Sequence, residues 1–476
     1  MAQPPENPVK FGTDGWRAII GETFTFDNVR ACAQATAEHF IETYGTEKPV
    51  VVGYDTRFLS DEFAMAVAKI LAGNGFRVQL ATRPAPTPAL SYRIIEVGAC
   101  GGVVVTSSHN PFRWNGIKIK PHYGGSASPE FVLAIEQRVP AILADTSRIK
   151  IAATDGDIKR FDPVPGYLDG LRKLVDIEGI KAAGLRVAVD PMYGAGAGFF
   201  SELLAGGATT VTEIHSERNP LFPGLRAPEP IESNLGEFMK FIADGDYSVG
   251  IANDGDADRL GVVDEHGVYV DQLRTFALLT NYLLGERGLR GPIVKSVTTT
   301  DMARILAAHY DVPFYETPVG FKYIGPLMME HDALIGGEES GGYGFRGHLP
   351  ERDGVLAGLY ILDYVARTGA SPSQLLERVF AITGPHFYER LDFDLEPGAN
   401  VAVKARLDAA APTELAGRPV TSSDRVDGWR FFTPDGWLLF RLSGTEPLLR
   451  IYTEMRDAAL VKPIIEAGKA LAGYGS

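Results

Sequence analysis

The sequence predicts an α/β protein of three tandem units followed by a smaller α+β unit, and three observations lead there. Three times along the chain a short apolar strand runs straight into a loop of small and polar residues. These junctions are Val103-Val104-Val105 into Thr106-Ser107-Ser108, Val249-Gly250-Ile251 into Asn253-Asp254, and Leu334-Ile335 into Gly336-Gly337-Glu338. After Gly384-Pro385 the composition changes to strand-like segments that end in a hairpin, Trp437 to Leu442 and Leu448 to Thr453 around a Ser-Gly-Thr-Glu-Pro turn. The chain of 476 residues is also too long for one ordinary core, and about 100 to 200 residues per domain suggests three or four.

In the first unit Val29, Cys32, Ala33, Thr36 and Phe40 recur at helical spacing and Gly45 ends the helix, after which Val50-Val51-Val52 reads as a buried strand. Ser60 is placed to cap a second helix that leads to the strand Phe76 to Leu80. Asn115 to Lys120 returns as a strand after the Ser108 loop. The pattern restarts at Leu185 to Val189 and continues through Thr210 to Ile214 and Val249 to Ala252. It restarts again at Pro292-Ile293-Val294, with Ala333-Leu334-Ile335 as a further strand. In open α/β sheets ligands bind at the carboxyl ends of strands, so the three junctions are where function is expected.

Composition closes off several function classes. Hydrophobic residues at 45% and charged residues at 22% are ordinary for a packed globular protein. A formal charge of −14 argues against a general nucleic-acid surface, which needs a dominant basic field, so any anionic ligand must be held by local clusters. Cys32 and Cys100, the only cysteines, read as two buried thiols rather than a disulfide framework, which fits a cytoplasmic location. The opening MAQPPENPVK has no apolar signal region, and Asp363 interrupts Val355 to Ala366 well short of a membrane span. Neither export nor membrane insertion is expected. No motif sets the oligomeric state.

Four segments carry chemistry. Asp254-Gly255-Asp256-Ala257-Asp258-Arg259 spaces three carboxylates at i, i+2 and i+4, so an extended backbone would point all three the same way. Unpaired they would repel; a divalent cation removes the conflict, and hard oxygen ligands favour magnesium or calcium. An EF-hand is rejected, although Glu265 falls at the twelfth position, because the sixth is Arg259 where the turn needs glycine and Leu260 to Val263 reads as a strand. Thr106-Ser107-Ser108-His109-Asn110-Pro111 presents hydroxyls at a strand end with Lys118 nearby. Such a loop by itself is compatible with plain turn chemistry, and G-x-S-x-G, the mark of many serine hydrolases, is absent around Ser108.

Gly337-Glu338-Glu339-Ser340-Gly341-Gly342 offers two carboxylates and a hydroxyl where backbone can approach a ligand, a combination suited to sugar hydroxyls or to a plain acidic loop. Arg441-Leu442-Ser443-Gly444-Thr445, with Arg450 beyond the turn, combines guanidinium forks, hydroxyls and backbone N–H groups into a phosphate cradle; surface ion pairs are the alternative. Gly194-Ala195-Gly196-Ala197-Gly198 fails the dinucleotide fingerprint at Phe199, and strand-to-helix packing accounts for these glycines.

Taken together, the four loops resemble the α-D-phosphohexomutase family, which has T-x-S-H-N-P, D-G-D-x-D-R, G-E-x-S-G and R-x-S-G-T in that order. Phe11 to Arg17, Asp190 to Gly194 and Pro318 to Lys322 extend the likeness over nearly the whole chain. The resemblance implies three related α/β domains with mixed sheets plus a C-terminal α+β domain around a central cleft. Their expected ranges are 1–156 for phosphoserine, 157–268 for metal, 269–384 for sugar and 385–476 for phosphate. It implies that Ser108 carries the phosphoryl group and, with Asp254, Asp256 and Asp258, surrounds one Mg2+. It further implies that Arg17, His109, Lys118 and Arg259 support transfer, that Glu338 and Ser340 bind sugar hydroxyls, and that Arg441, Ser443, Gly444, Thr445 and Arg450 hold the phosphate that is not reacting.

The implied reaction interconverts hexose 1-phosphate and hexose 6-phosphate through a hexose 1,6-bisphosphate. The alternatives are a phosphoglucosamine mutase and a metal-dependent sugar phosphatase. The sugar loop G-E-E-S-G-G is closest to glucomutase-type members, which points to glucose, with mannose second. Gly342 stands where the glucose/mannose and glucosamine subfamilies have a histidine, so that residue's role in proton transfer does not carry over; His348 and Arg352 are the candidates to replace it.

Overall fold

The computed structural model describes residues 7–396, 398–442 and 448–474. Its first sheet has six strands in the order Trp16–Ile19, Trp114–Pro121, Gly101–Val105, Val50–Tyr54, Val78–Ala81 and Ile158–Phe161. The second runs Tyr269–Val270, Leu260–Val263, Val249–Asn253, Arg186–Asp190, Thr210–Glu213, and the third Tyr343–Phe345, Ile335–Gly337, Ile293–Ser296, Phe314–Thr317. All three share one arrangement: two parallel neighbours, then the strand that leads into a site loop, then an antiparallel return. The loops at 106–113, 254–259 and 338–342 therefore occupy the same topological place in three sheets. The fourth unit is an antiparallel sheet of Phe387–Asp394, Leu448–Met455, Gly436–Leu442, Trp429–Thr433 and Ser422–Asp424, backed by the helix Ala458–Ala472.

Local sequence accounts for much of this. Thr25 caps the helix Phe26–Tyr44 by accepting from the Asn28 N–H, and Gly45 ends it. Val50, Val51 and Val52 are buried on both faces of their sheet, as a parallel central strand requires. Cys32 and Cys100 are both buried free thiols. No helix among the described residues is long and apolar enough to cross a membrane.

Several expectations change. Ser60 lies inside its helix, Ser60–Gly73, and donates its hydroxyl to Asp55, so it supplies no cap; Leu59, in the left-handed region, precedes it. The strand expected at Ala333 to Ile335 begins at Ile335 and runs to Gly337. The first sheet takes its last strand from Ile158–Phe161, past residue 156, and the second takes Tyr269–Val270, past residue 268. Ile158-Lys159-Arg160-Phe161 is a half-polar edge strand that, among the described residues, pairs only with Val78–Ala81, so its own sequence hardly marks it.

The units interlock. The helix Gly354–Thr368 follows the third sheet yet packs on the second, where Gly358 lies against Phe200 and Ile251. The fourth unit is fastened to the third by Arg430, which is 2% exposed. Its guanidinium donates to both Glu316 oxygens at 3.0 Å, to Asp424 at 2.6 Å and to the Val297 carbonyl at 3.3 Å. Breaking one partner of a buried ion pair costs about 3 to 5 kcal/mol, because the other charge stays behind unpaired. Arg430→Ala is therefore expected to destabilise the fourth unit by about 3 kcal/mol, seen in denaturant titration as an early transition reported by Trp429 and Trp437 fluorescence.

Candidate active site

Ser108 sits in the first site loop, buried, with φ +50°. That left-handed backbone is unfavourable for serine and must be held by its surroundings. Arg57 does most of the holding. Fully buried, it donates Nη2 to the carbonyls of Ser108 at 2.6 Å and Asn110 at 2.7 Å, and Nη1 to those of Pro111 and Trp114 at 3.1 Å. Its Nε meets Asp55 at 3.1 Å, and Asp55 in turn accepts the Thr106 hydroxyl at 2.6 Å. Thr106 then accepts the Ser108 N–H at 2.8 Å. Asp55 and Arg57 follow the strand Val50–Tyr54, at the carboxyl end of the sheet beside the Ser108 strand.

The Ser108 hydroxyl donates to Asp254 at 2.8 Å and lies 3.3 Å from His109 Nδ1. Asp254, Asp256 and Asp258 are all buried, and one oxygen from each falls within 4.8 Å of the other two. They do not converge by extension, as expected from the sequence. The loop is a turn in which Ala257 adopts φ +54° and its N–H donates to the Asp254 carbonyl. Contacts from elsewhere support it: Ala195 N–H donates to Gly255, Thr87 pairs with Asp256 through both backbone and side chain, and Gly354 N–H donates to Ala257. The glycine-rich run after Asp190 thus serves the carboxylate loop as well as its own helix.

Burial together with Asp258 and Asp256 pushes the Asp254 carboxyl well above its ordinary range. Lys118 relieves the other two: its ammonium lies 2.8 Å from Asp256, 2.7 Å from Asp258 and 2.9 Å from Asp14. Against the cost of burial, those three carboxylates raise the Lys118 pKa. The second oxygens of Asp256 and Asp258 are buried with no hydrogen-bond partner among the described residues. Clustered buried oxygens without donors suit a hard divalent cation, so the residues present fit magnesium.

Arg259 donates to Glu229 at 2.9 Å, and His109 Nε2 lies 4.0 Å from the same carboxylate. Burial, then Arg259, Arg17 and Lys118, hold the His109 pKa well below its usual range, so its imidazole is neutral. Arg17 reaches the loop by donating to Asn110 at 2.7 Å.

In the third site loop Glu338 is 3% exposed; its Oε2 and the Ser340 hydroxyl are buried without hydrogen-bond partners among the described residues. Burial, reinforced by Glu339 and opposed by Arg352, raises Glu338 to about 7. Glu339 turns instead to Thr298 and Ser296, at 2.5 and 3.1 Å. Arg352 takes the room beside Gly342: a Cβ there would lie 2.2 Å from its Cδ. Its guanidinium pairs with Asp14, with Asp258 at 2.8 Å and with Glu338 at 3.5 Å. His348 turns away from this point, 2.7 Å from Asp353, so of the two candidates Arg352 alone adjoins the site. Despite burial, Asp258, Asp14 and Glu351 raise the Arg352 pKa, which makes it a fixed cation.

Arg441 and Arg450 lie directly opposite each other on antiparallel strands. Ser443, Gly444 and Thr445, expected to complete the cradle, fall outside the described residues. The residues that sequence reading missed are Asp14, Asp55, Arg57, Thr87 and Glu229. Asp55-Thr56-Arg57 had a local signal, being polar residues at a strand's carboxyl end, and Asp14 lies within the Phe11 to Arg17 segment already singled out.

Comparison with known proteins gives the family. The phosphoglucomutase/phosphomannomutase family models match as alpha/beta/alpha domain I at residues 8–145, domain II at 165–267, domain III at 271–382 and C-terminal domain at 399–467. The chain belongs to the phosphoglucomutase/phosphomannomutase family. It is 31% identical to a phosphoglucomutase/phosphomannomutase of Thermococcus kodakarensis over 96% of this chain and 97% of that one. It is 29% identical to a phosphoglucosamine mutase of Marinomonas sp. over 96% of each. A crystal structure from Thermus thermophilus, provisionally named a phosphomannomutase, superposes with a TM-score of 0.86 at 36% identity, covering 98% of this chain and 99% of that one. Members of this family are phosphohexomutases, so the enzyme is an intramolecular phosphotransferase.

Glu338 supplies a test by pH. Because its folded pKa lies near 7, above the ordinary 4.5 of a glutamate, the carboxylate acceptor forms only as pH rises through that value. The same shift means that its contribution to stability is present at low pH and is lost as pH rises through about 7. The hexose-phosphate KM is expected to fall between about pH 6 and 8 in a manner absent from Glu338→Gln. Substrate phosphate also titrates, near 6, but equally for both proteins, so the difference between the two profiles isolates Glu338.

Proposed function

We propose that this phosphohexomutase interconverts glucose 1-phosphate and glucose 6-phosphate through phosphorylated Ser108, with mannose phosphate as a second substrate. The observation that carries the reading is the Ser108 hydroxyl, 2.8 Å from Asp254 and held at the mouth of the three-carboxylate loop by Arg57. Magnesium bound by Asp254, Asp256, Asp258 and the serine phosphate would neutralise charge on the moving group.

The chain's own residues do the rest. Phosphoryl transfer asks chiefly for positioning and charge compensation. Lys118, Arg259 and Arg17 supply fixed positive charge around Ser108, and Asn110 anchors Arg17. Glu338, whose Oε2 lies 3.5 Å from Arg352 without a hydrogen bond, and Ser340 offer oxygens to sugar hydroxyls, while Arg441 and Arg450 hold the distal phosphate. A hexose monophosphate takes the phosphate from Ser108, the 1,6-bisphosphate turns round, and its other phosphate returns to Ser108. The Glu338-Glu339-Ser340 loop supports glucose over glucosamine. Cytoplasmic location is part of the same reading.

Ser108→Ala is expected to lose at least about a thousandfold in kcat/KM, since the covalent route is removed. Mutase activity is measured with the 1-phosphates of glucose, mannose and glucosamine, with hexose 1,6-bisphosphate present. A preference for glucosamine 1-phosphate would overturn the glucose assignment. Release of inorganic phosphate at the mutase rate would instead make the enzyme a phosphatase.

Exhaustive chelation should abolish turnover and Mg2+ restore it. Asp256→Asn should lower activity to a similar extent while the far-ultraviolet circular dichroism stays unchanged. Full activity after removal of divalent ions would refute the metal role.

A further inference from the structure

The two clamp arginines each have an aspartate beside them, but the two aspartates differ. Asp392 lies 3.8 Å from Arg450 Nε and already binds Arg390 with both oxygens, at 2.7 and 2.5 Å. Asp427 accepts Arg441 Nε at 2.9 Å, and the same oxygen accepts the backbone N–H of Val319 at 2.8 Å. Val319 belongs to the loop Pro318-Val319-Gly320 that leaves the third-sheet strand Phe314–Thr317. One carboxylate oxygen thus holds a side chain of the fourth unit and the backbone of the third.

The fold places Asp427 there from two sides. Gly428 has φ +102°, and a Cβ at that position would stand 1.9 Å from the Phe440 carbonyl, so only glycine allows this turn to lie against the residue preceding Arg441. Two residues beyond Gly428, Arg430 is fastened to Glu316 of the third unit. A carboxylate on Nε leaves the outer edge of the Arg441 guanidinium, with the Tyr452 hydroxyl as its neighbour, to face an anion. Lys322 lies in the first turn of the helix Phe321–His331 that follows the Val319 loop; burial lowers its pKa, while Asp14, Asp427, Glu130 and Glu338 act to raise it, so clamp and sugar loop lie within one electrostatic neighbourhood.

We propose that Asp427 is a positioning residue that couples the phosphate clamp to the Val319 loop. It aims Arg441 at a phosphate monoester, and the clamp reaches full affinity only when the fourth unit is docked on the third. This rests on the reading of Arg441 as a phosphate ligand.

The test compares wild type, Asp427→Ala, Asp427→Asn and Arg441→Ala. Calorimetric titration with inorganic phosphate and glucose 1-phosphate, steady-state kinetics in both directions and hydrogen exchange of the peptide containing Val319 are measured on each. Asp427→Ala should weaken phosphate binding by roughly tenfold and raise both KM values alike, with kcat changing less than about threefold. It should also speed exchange at Val319. Asp427→Asn, which keeps an acceptor oxygen in place, should recover most of the affinity and protection. Wild-type phosphate affinity and Val319 exchange in Asp427→Ala would overturn the coupling, as would losses that track only a lower melting temperature in both Asp427 variants. Undiminished phosphate binding in Arg441→Ala would refute the clamp reading itself, while Val319 exchange would still report the Asp427 contact separately.

Discussion

Three buried carboxylates in one five-residue stretch are the constraint on which this structure depends. Asp254, Asp256 and Asp258 have no exposure worth counting, so water cannot screen them and their mutual repulsion is strong. The second unit contributes Arg259, but the cations in direct contact with Asp256 and Asp258 come from outside it: Lys118 from the first and Arg352 from the third. A separated second unit would carry this loop without the two cations that touch Asp256 and Asp258, leaving Arg259 as its own compensating charge. Docking of the first three units is therefore an electrostatic requirement of the loop itself, and the cross-unit bonds from Thr87 and Gly354 follow the same direction.

That requirement explains why all three loops lie at one kind of junction. Where a parallel strand is followed by an antiparallel return, the connection must leave the sheet edge, and its backbone groups are free to bond to another unit. The first sheet uses this junction to place a hydroxyl, the second carboxylates, and the third a carboxylate with a hydroxyl. The chemistry differs because the side chains do, while the backbone solution stays the same. Arg57 shows how much support such a loop needs, with four carbonyls gathered by one guanidinium to keep Ser108 in an unfavourable backbone region.

What could be read from the sequence was what is local. Ser108, the three aspartates, Glu338 and Ser340 each sit in a short loop directly after an apolar strand, where pattern and chemistry coincide. Glu229, Thr87 and Asp14 act across 30 to 338 residues of chain, as in Thr87 with Asp256 or Arg352 with Asp14, and nothing near them in sequence announces the partner. The expected extended carboxylate loop failed for a related reason. Period-two spacing does align side chains, but a tight turn with Ala257 at positive φ brings the oxygens together over a shorter span, and the contacts that hold it come from Ala195 and Gly354. Gly342 was legible as a departure from the pattern, yet which neighbour fills the space depends on the path of the chain to Arg352.

The clamp obeys a different logic from the carboxylate loop. Arg441 and Arg450 are cross-strand partners, and like charges directly opposite on a sheet are unfavourable unless something negative lies nearby. Here Asp427 and Asp392 fill that role at the flanks, and both sit to the side of the pair rather than between the two arginines. A phosphate that bridges the guanidinium groups relieves the same repulsion more fully, because its charge is shared by both forks. On the proposed reading, a pair of guanidinium groups would recognise the charge and geometry of a phosphate. On the same reading, selection among hexoses would fall to the buried oxygens of Glu338 and Ser340, whose desolvation makes an unmet hydrogen bond costly in a way that an exposed contact would not be.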